Sequence, residues 1–130
     1  MSQQEIEIIL TRHWASHLTT PIFLVDTQGN LLYYNEAAEH ILGRRFAETG
    51  RMGSDEWSVI FKMTDDNNVL IKREELPLTI ALTECRPVHR RLWLVGLDKV
   101  RRHIRTTCIP LIGQSDRFLG AVALFWEMEE

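Results

Sequence analysis

His13 and His17 stand four apart in the run His-Trp-Ala-Ser-His, the spacing at which two imidazoles share one helix face and form half of a metal site. The run lacks the glutamate of a zincin helix and no third ligand lies near it, so no metal site is expected. The two cysteines, Cys85 and Cys108, form neither a C-x-x-C pair nor a metal spacing. They are expected to be reduced, half-buried thiols. Asp65-Asp66-Asn67-Asn68 has the composition of a calcium loop but lacks its glycine and its distal bidentate glutamate, and it reads as a solvated turn. Asp26 lies in a turn sequence, where bonding to the local backbone is its expected duty. No nucleophile-base-orienter set, glycine-rich phosphate loop or pair of carboxylates in apolar surroundings is present, so no catalytic residue is named.

Charge narrows the partners. The 130 residues carry a net charge of -3, which argues against nucleic acid, because phosphate neutralisation drives such binding. The distribution is nevertheless uneven. Arg86, Arg90, Arg91, Lys99, Arg101, Arg102 and Arg105 are opposed only by Asp98 in their stretch. These residues are expected to form a solvated edge that blocks strand pairing; an acidic partner or anionic ligand is the functional alternative. No apolar run has the roughly 18 residues of a membrane span. Glu5 and Glu7 stand where a secretory signal would be basic, so a cytoplasmic protein is expected.

The elements that must position any site follow from periodicity. Ser2 and Glu5 suit a capping box, and Ile6, Ile9, Leu10, His13, Trp14, His17 and Leu18 recur at helical spacing up to Pro21. This amphipathic helix either covers the domain's own sheet or pairs with a second copy. Ile22 to Val25 and Leu31 to Tyr34 are strand-length runs joined by Asp26-Thr27-Gln28-Gly29-Asn30, a hairpin. Asn35 then suits a helix N-cap, with Gly43 closing that helix. A short helix over Trp57, Ile60 and Phe61 and another over Leu78, Ala81, Leu82 and Cys85 come next. The last third reads as three long strands. Phe118 to Trp126 is apolar on both faces and so is buried on both.

Strand, Asp-containing turn, strand, Asn and helix together resemble the opening of a PAS domain, carried by Asp26, Gly29, Leu31, Asn35 and Ala37. Pro110, Leu111 and Gly120 are similar to the PAS ending, in which a strand closes on Pro-Leu, turns and resumes with Gly-Ala/Val-Val. The resemblance covers about residues 20 to 127. It implies an α+β fold: a five-stranded antiparallel sheet in the order 2-1-5-4-3 with short helices on one face. The N-terminal helix is assigned to residues 1–19 and the PAS-like domain to residues 20–130. The Glu-Met-Glu-Glu ending departs from the Asp-x-Thr that commonly joins a PAS domain to its effector.

The resemblance also implies a sensory, non-catalytic role, by small-molecule binding or protein association, with homodimerisation through the N-terminal helix and outer sheet face and with a signalling protein as a further partner. The cofactor is unknown. Neither cysteine lies in the Gly-x-Asn-Cys-Arg-Phe-Leu-Gln of flavin-adduct domains, and residues 74–86 hold no axial histidine for haem, which leaves a small apolar ligand or none. Candidate pocket residues are Trp57, Ile60, Phe61, Leu78 and Leu82 from the helices, with Ile104, Thr106 and Cys108 from a strand by period-two alternation. All are equally explained as plain core. Candidate dimer residues are Ile6, Leu10 and Trp14. The rivals are a purely structural interaction module and a small cone-fold enzyme of steroid-isomerase type. The latter would place its long strands after several helices, whereas here a hairpin begins at Ile22.

Overall fold

The computed structural model describes residues 3–128. Helix α1 spans Gln3–Ser16, and the hairpin is β1 (Ile22–Val25) and β2 (Leu31–Tyr34). Helices α2 (Glu36–Leu42), α3 (Phe46–Thr49) and α4 (Ser54–Ile60) follow, then strand β3 (Lys62–Thr64) and helix α5 (Pro77–Glu84). Strands β4 (Val88–Val95), β5 (Arg101–Ile112) and β6 (Phe118–Glu127) complete one sheet in the order β2-β1-β6-β5-β4-β3. The expected order of the five strands holds. The sixth, β3, adds three residues beyond β4, pairing Lys62 with Val95 and Thr64 with Trp93. A strand so short has no alternation to read, and it follows directly on α4. The capping box falls on Ser2, outside the described residues, as do Glu129 and Glu130.

The hairpin forms where its turn chemistry allows. Asp26 Oδ1 accepts from the backbone N–H groups of Gln28 and Asn30, both at 2.9 Å. Gly29 takes φ +85°, a left-handed conformation that costs a residue without Cβ nothing. At the other edge of β1, Gly120 holds φ +142° in β6, where a Cβ would stand 2.1 Å from the Val25 carbonyl oxygen. The strands therefore approach more closely there than any side chain permits.

Asn35 is buried and joins three elements. Its Oδ1 caps α2 by accepting from Ala38 N–H at 3.1 Å and also accepts from Ile22 N–H, in β1, at 3.0 Å. Its Nδ2 donates to the carbonyls of Ala15 (3.1 Å) and Thr20 (2.9 Å), at the end of α1 and in the link beyond it.

The main core lies between the inner sheet face and the short helices, where Phe23, Trp57, Phe61, Leu92, Ile104 and Phe125 meet. Strand β6 is buried on both sides as expected: Ala121, Ala123 and Phe125 face this core, while Val122 and Leu124 join Ile22 and Leu24 on the outer face. Ala15 near the end of α1, and Leu18 just beyond it, cover that outer face. The apolar stripe of α1 does not. Ile6, Ile9, Leu10 and Trp14 face solvent, while Glu7 pairs with Arg117 and Arg12 lies 4.7 Å from the Tyr33 ring centre. Neither cysteine is half-buried. Cys85 ends α5 in a left-handed turn and is exposed, whereas Cys108 is buried in β5.

Asn35→Ala is expected to destabilise the fold by about 3 kcal/mol, combining a lost helix cap with buried backbone groups left unpaired. Asn35→Asp keeps the acceptor but turns a carboxylate on two carbonyls, so it too is expected to destabilise. Urea denaturation measures both; a loss below about 1 kcal/mol for the alanine variant would contradict the role assigned to this side chain.

Candidate functional site

The inner face of the sheet is set by the pairing register. Val88 pairs with Cys108, Leu92 with Ile104 and Thr106 with Phe125, so alternate residues of β4, β5 and β6 point towards the helices. Helix α4 brings Trp57, Phe61 follows at its C-terminus, and α5 brings Leu78. Pro77 is the first residue of α5, where its missing N–H costs nothing. Between them lies a cavity of about 60 Å³. Trp57, Phe61, Leu78, Ile104, Thr106 and Cys108 all line it.

Two of the expected residues do not. Ile60 is the last residue of α4 and packs half-buried on the flank of the core, because the chain turns extended at Phe61 (φ -96°, ψ 96°). Leu82 lies one turn further along α5 and faces a separate cleft beside Gly29, Ser54 and Thr79. Sequence reading missed Phe23, Leu92, Leu94, Ala123 and Phe125, which line it from β1, β4 and β6, and Leu42, Met63, Leu76 and Pro77, which line it from the end of α2, from β3 and from the start of α5. The equal parity of Leu92 and Leu94 was the available signal. Their facing depended on a cross-strand register that alternation within one strand does not supply.

Polar groups in the cavity wall are few. Trp57 Nε1 donates to the Gly29 carbonyl at 2.7 Å, so its ring is held by the hairpin turn. Thr106 Oγ1 donates to the Leu124 carbonyl at 3.3 Å and lies 3.7 Å from Cys108 Sγ. Burial pushes the Cys108 thiol up to about 12, against a smaller lowering by Thr106, so it is a neutral thiol. Such a group packs as a small apolar side chain and does not act as a nucleophile. The wall as a whole receives apolar atoms and offers no constellation for acid-base chemistry.

The other residues singled out have local duties. His13 and His17 lie edge to face with ring centres 4.8 Å apart on α1, and among the described residues no group of three metal-ligating side chains gathers around them. Asp65 Oδ1 accepts from the N–H groups of Asn67 and Val69, a side-chain-closed turn, and Asp66 accepts from Trp93 Nε1. No helix among the described residues is long and apolar enough to cross a membrane.

A six-stranded antiparallel sheet with short helices folded over one face encloses an apolar cavity in a single α+β layer pair. Residues 10–127 match the family described as the PAS fold, and the chain belongs to that family. The PAS domain of a Colwellia psychrerythraea protein is similar at 15% identity and a TM-score of 0.65, covering 93% of this chain and 97% of that one. The PAS domain of BvgS from Bordetella pertussis shares 18% identity with a TM-score of 0.60, over 95% and 87% of the two chains. A LOV protein from Rhodobacter sphaeroides gives a TM-score of 0.72 at 15% identity, over 98% of this chain and 69% of that one. At these identities the likenesses establish the fold alone. No curated protein matches. PAS homologues are sensory signalling domains and generally not catalysts.

Thiol accessibility checks the placement of the cysteines. With an aromatic disulfide reagent at pH 8, Cys85 is expected to react rapidly and Cys108 only after denaturation. The raised thiol pKa has a definite sign for stability. The contribution is intact below the unfolded value of 9.0 and is lost as pH rises towards about 12. A Cys108→Ser variant should show a correspondingly shallower alkaline loss.

Proposed function

We propose that this chain is a non-catalytic sensory PAS domain that acts by association, pairing with a second copy through α1. The observation that carries this reading is the solvent-facing stripe of α1, where Ile6, Ile9, Leu10 and Trp14 are 40%, 50%, 61% and 55% exposed. They recur three and four residues apart and form one continuous apolar surface. The remaining face of the helix is already committed to its own domain through Ala15 and the Glu7–Arg117 ion pair. A second copy of α1 offers the same stripe in return, as a two-fold contact requires. Burying Ile6, Leu10 and Trp14 contributes about 5 kcal/mol before the costs of association are subtracted. In this arrangement residues 1–19 are the pairing element of a cytoplasmic signalling protein, and residues 20–130 are the sensor body, from which a signalling partner takes its cue.

A second reading concerns the cavity. Its nearly all-apolar wall favours a small apolar ligand. A volume of about 60 Å³ accommodates only a few heavy atoms, against the roughly 300–1,000 Å³ of drug-sized pockets. Haem or a flavin would need the core remodelled around it.

Leu10→Glu with Trp14→Glu is expected to leave the fold intact and convert a dimer to a monomer. Sedimentation analysis with a circular dichroism control reads both; a dimer mass unchanged by the pair of substitutions would sink the α1 contact. Native mass spectrometry of the same sample, with its absorption spectrum, tests the second reading. A reproducible adduct of small mass supports a cavity ligand, and the bare chain mass with no visible band leaves association alone.

A further inference from the structure

The basic stretch of the sequence separates into distinct environments. Arg86 pairs with Glu84, Arg102 bridges Asp98 and Glu127, and Arg101 stacks over Trp93 at 4.0 Å. Arg90 donates to the Glu75 carbonyl at 3.3 Å and Lys99 lies in the turn between β4 and β5, which leaves Arg91 and Arg105. They sit directly opposite one another on β4 and β5, both exposed, and neither forms an ion pair with a carboxylate among the described residues. Like charges at facing positions of an antiparallel pair repel, so this arrangement works against the stability of its own sheet.

The two guanidinium groups belong to a groove of about 520 Å³ on the outer sheet face, with His89 and Arg90 on β4, Thr107 on β5 and Trp126 on β6. It crosses three strands. His89, Arg90 and Arg91 stand on the stretch of β4 that β3 leaves unpaired, which is the charged edge expected from the sequence, and the groove extends from that edge across the outer face. The His89 ring and the Thr107 hydroxyl are joined at 3.0 Å. Trp126 is the register partner of Arg105 and stays 39% exposed, an aromatic surface beside the cations. The groove shares no residue with the stripe of Ile6, Ile9, Leu10 and Trp14 that makes the proposed α1 contact.

We infer that this groove is a docking site for an acidic protein segment, whose carboxylates bridge Arg91 and Arg105 while an aromatic or apolar side chain lies on Trp126. Charge complementarity carries the assignment: bidentate carboxylate binding removes the repulsion between the two guanidinium groups. The surroundings select a short acidic segment over a polyanion. The chain as a whole carries -3, which disfavours the approach of a nucleic-acid backbone and costs a short peptide with neutral flanks far less.

The test uses the full chain and a fluorescein-labelled synthetic peptide in which glutamate alternates with serine around one tyrosine, read by fluorescence anisotropy. Binding is expected, weakening as salt rises, with amide shift changes centred on His89, Arg91, Arg105, Thr107 and Trp126. Arg91→Glu with Arg105→Glu is expected to weaken binding by tenfold or more, on the order seen for charge pairs at interfaces. If that variant fails to fold, the single Arg91→Gln and Arg105→Gln variants read the same loss. Several results overturn the assignment: no anisotropy change with the glutamate peptide, equal binding of its glutamine counterpart, or affinity unaffected by the arginine substitutions. Tighter binding to a single-stranded oligonucleotide or to phosphatidylglycerol vesicles overturns it in favour of those ligands. Loss of the dimer on charge reversal would overturn it by making the groove a contact between copies.

Discussion

The Asn35 amide is the junction on which the architecture depends. Its oxygen accepts from the first residue of β1 and from the first turn of α2, and its nitrogen donates to carbonyls at and just beyond the end of α1. A helix start, a strand start and a helix end thus share one buried side chain with donors and acceptors on opposite sides of a planar group. An aspartate lacks the donors and a leucine lacks both. Because unpaired buried backbone groups are costly, the side chain does more than cap a helix: it sets where the N-terminal element meets the sheet.

That constraint shapes both faces of the sheet. With the end of α1 held beside β1, only Ala15 and Leu18 reach the outer-face cluster of Ile22, Leu24 and Val122. The apolar stripe of the helix is left pointing outward, available to a second copy. On the inner side, the hairpin turn holds the Trp57 indole through the Gly29 carbonyl, and that ring forms part of the cavity wall. Hairpin, helix pose and cavity are therefore parts of one mechanical unit.

Local chemistry explains why much of this was readable in advance. Asp26, Gly29 and Asn35 act within a few residues of themselves, in a turn and a cap, so their roles follow from residue type and position. The candidate cavity residues divide more instructively. Trp57, Phe61, Leu78, Ile104, Thr106 and Cys108 line the cavity, while Ile60 and Leu82 sit on equally apolar helical positions and do not. What separates them is where α4 stops and which part of α5 lies over the hairpin. These are distances between elements, and periodicity within an element carries no information about them.

Local preference and hydrophobic pattern were enough to specify the longer strands and helices, the hairpin, the cap and the burial of β6 on both faces, but not the one-turn helix α3 in a polar stretch. Tertiary structure alone decided the rest. It turned α1 so that an alanine and an ion pair, not the Trp14 stripe, face its own domain. It added β3, too short to show a period, by pairing it with β4. It also brought Arg91 opposite Arg105 through a register spread over the whole length of β4 and β5. Pairings of this kind depend on many weak contacts summed across elements, and no single stretch of residues specifies such a sum.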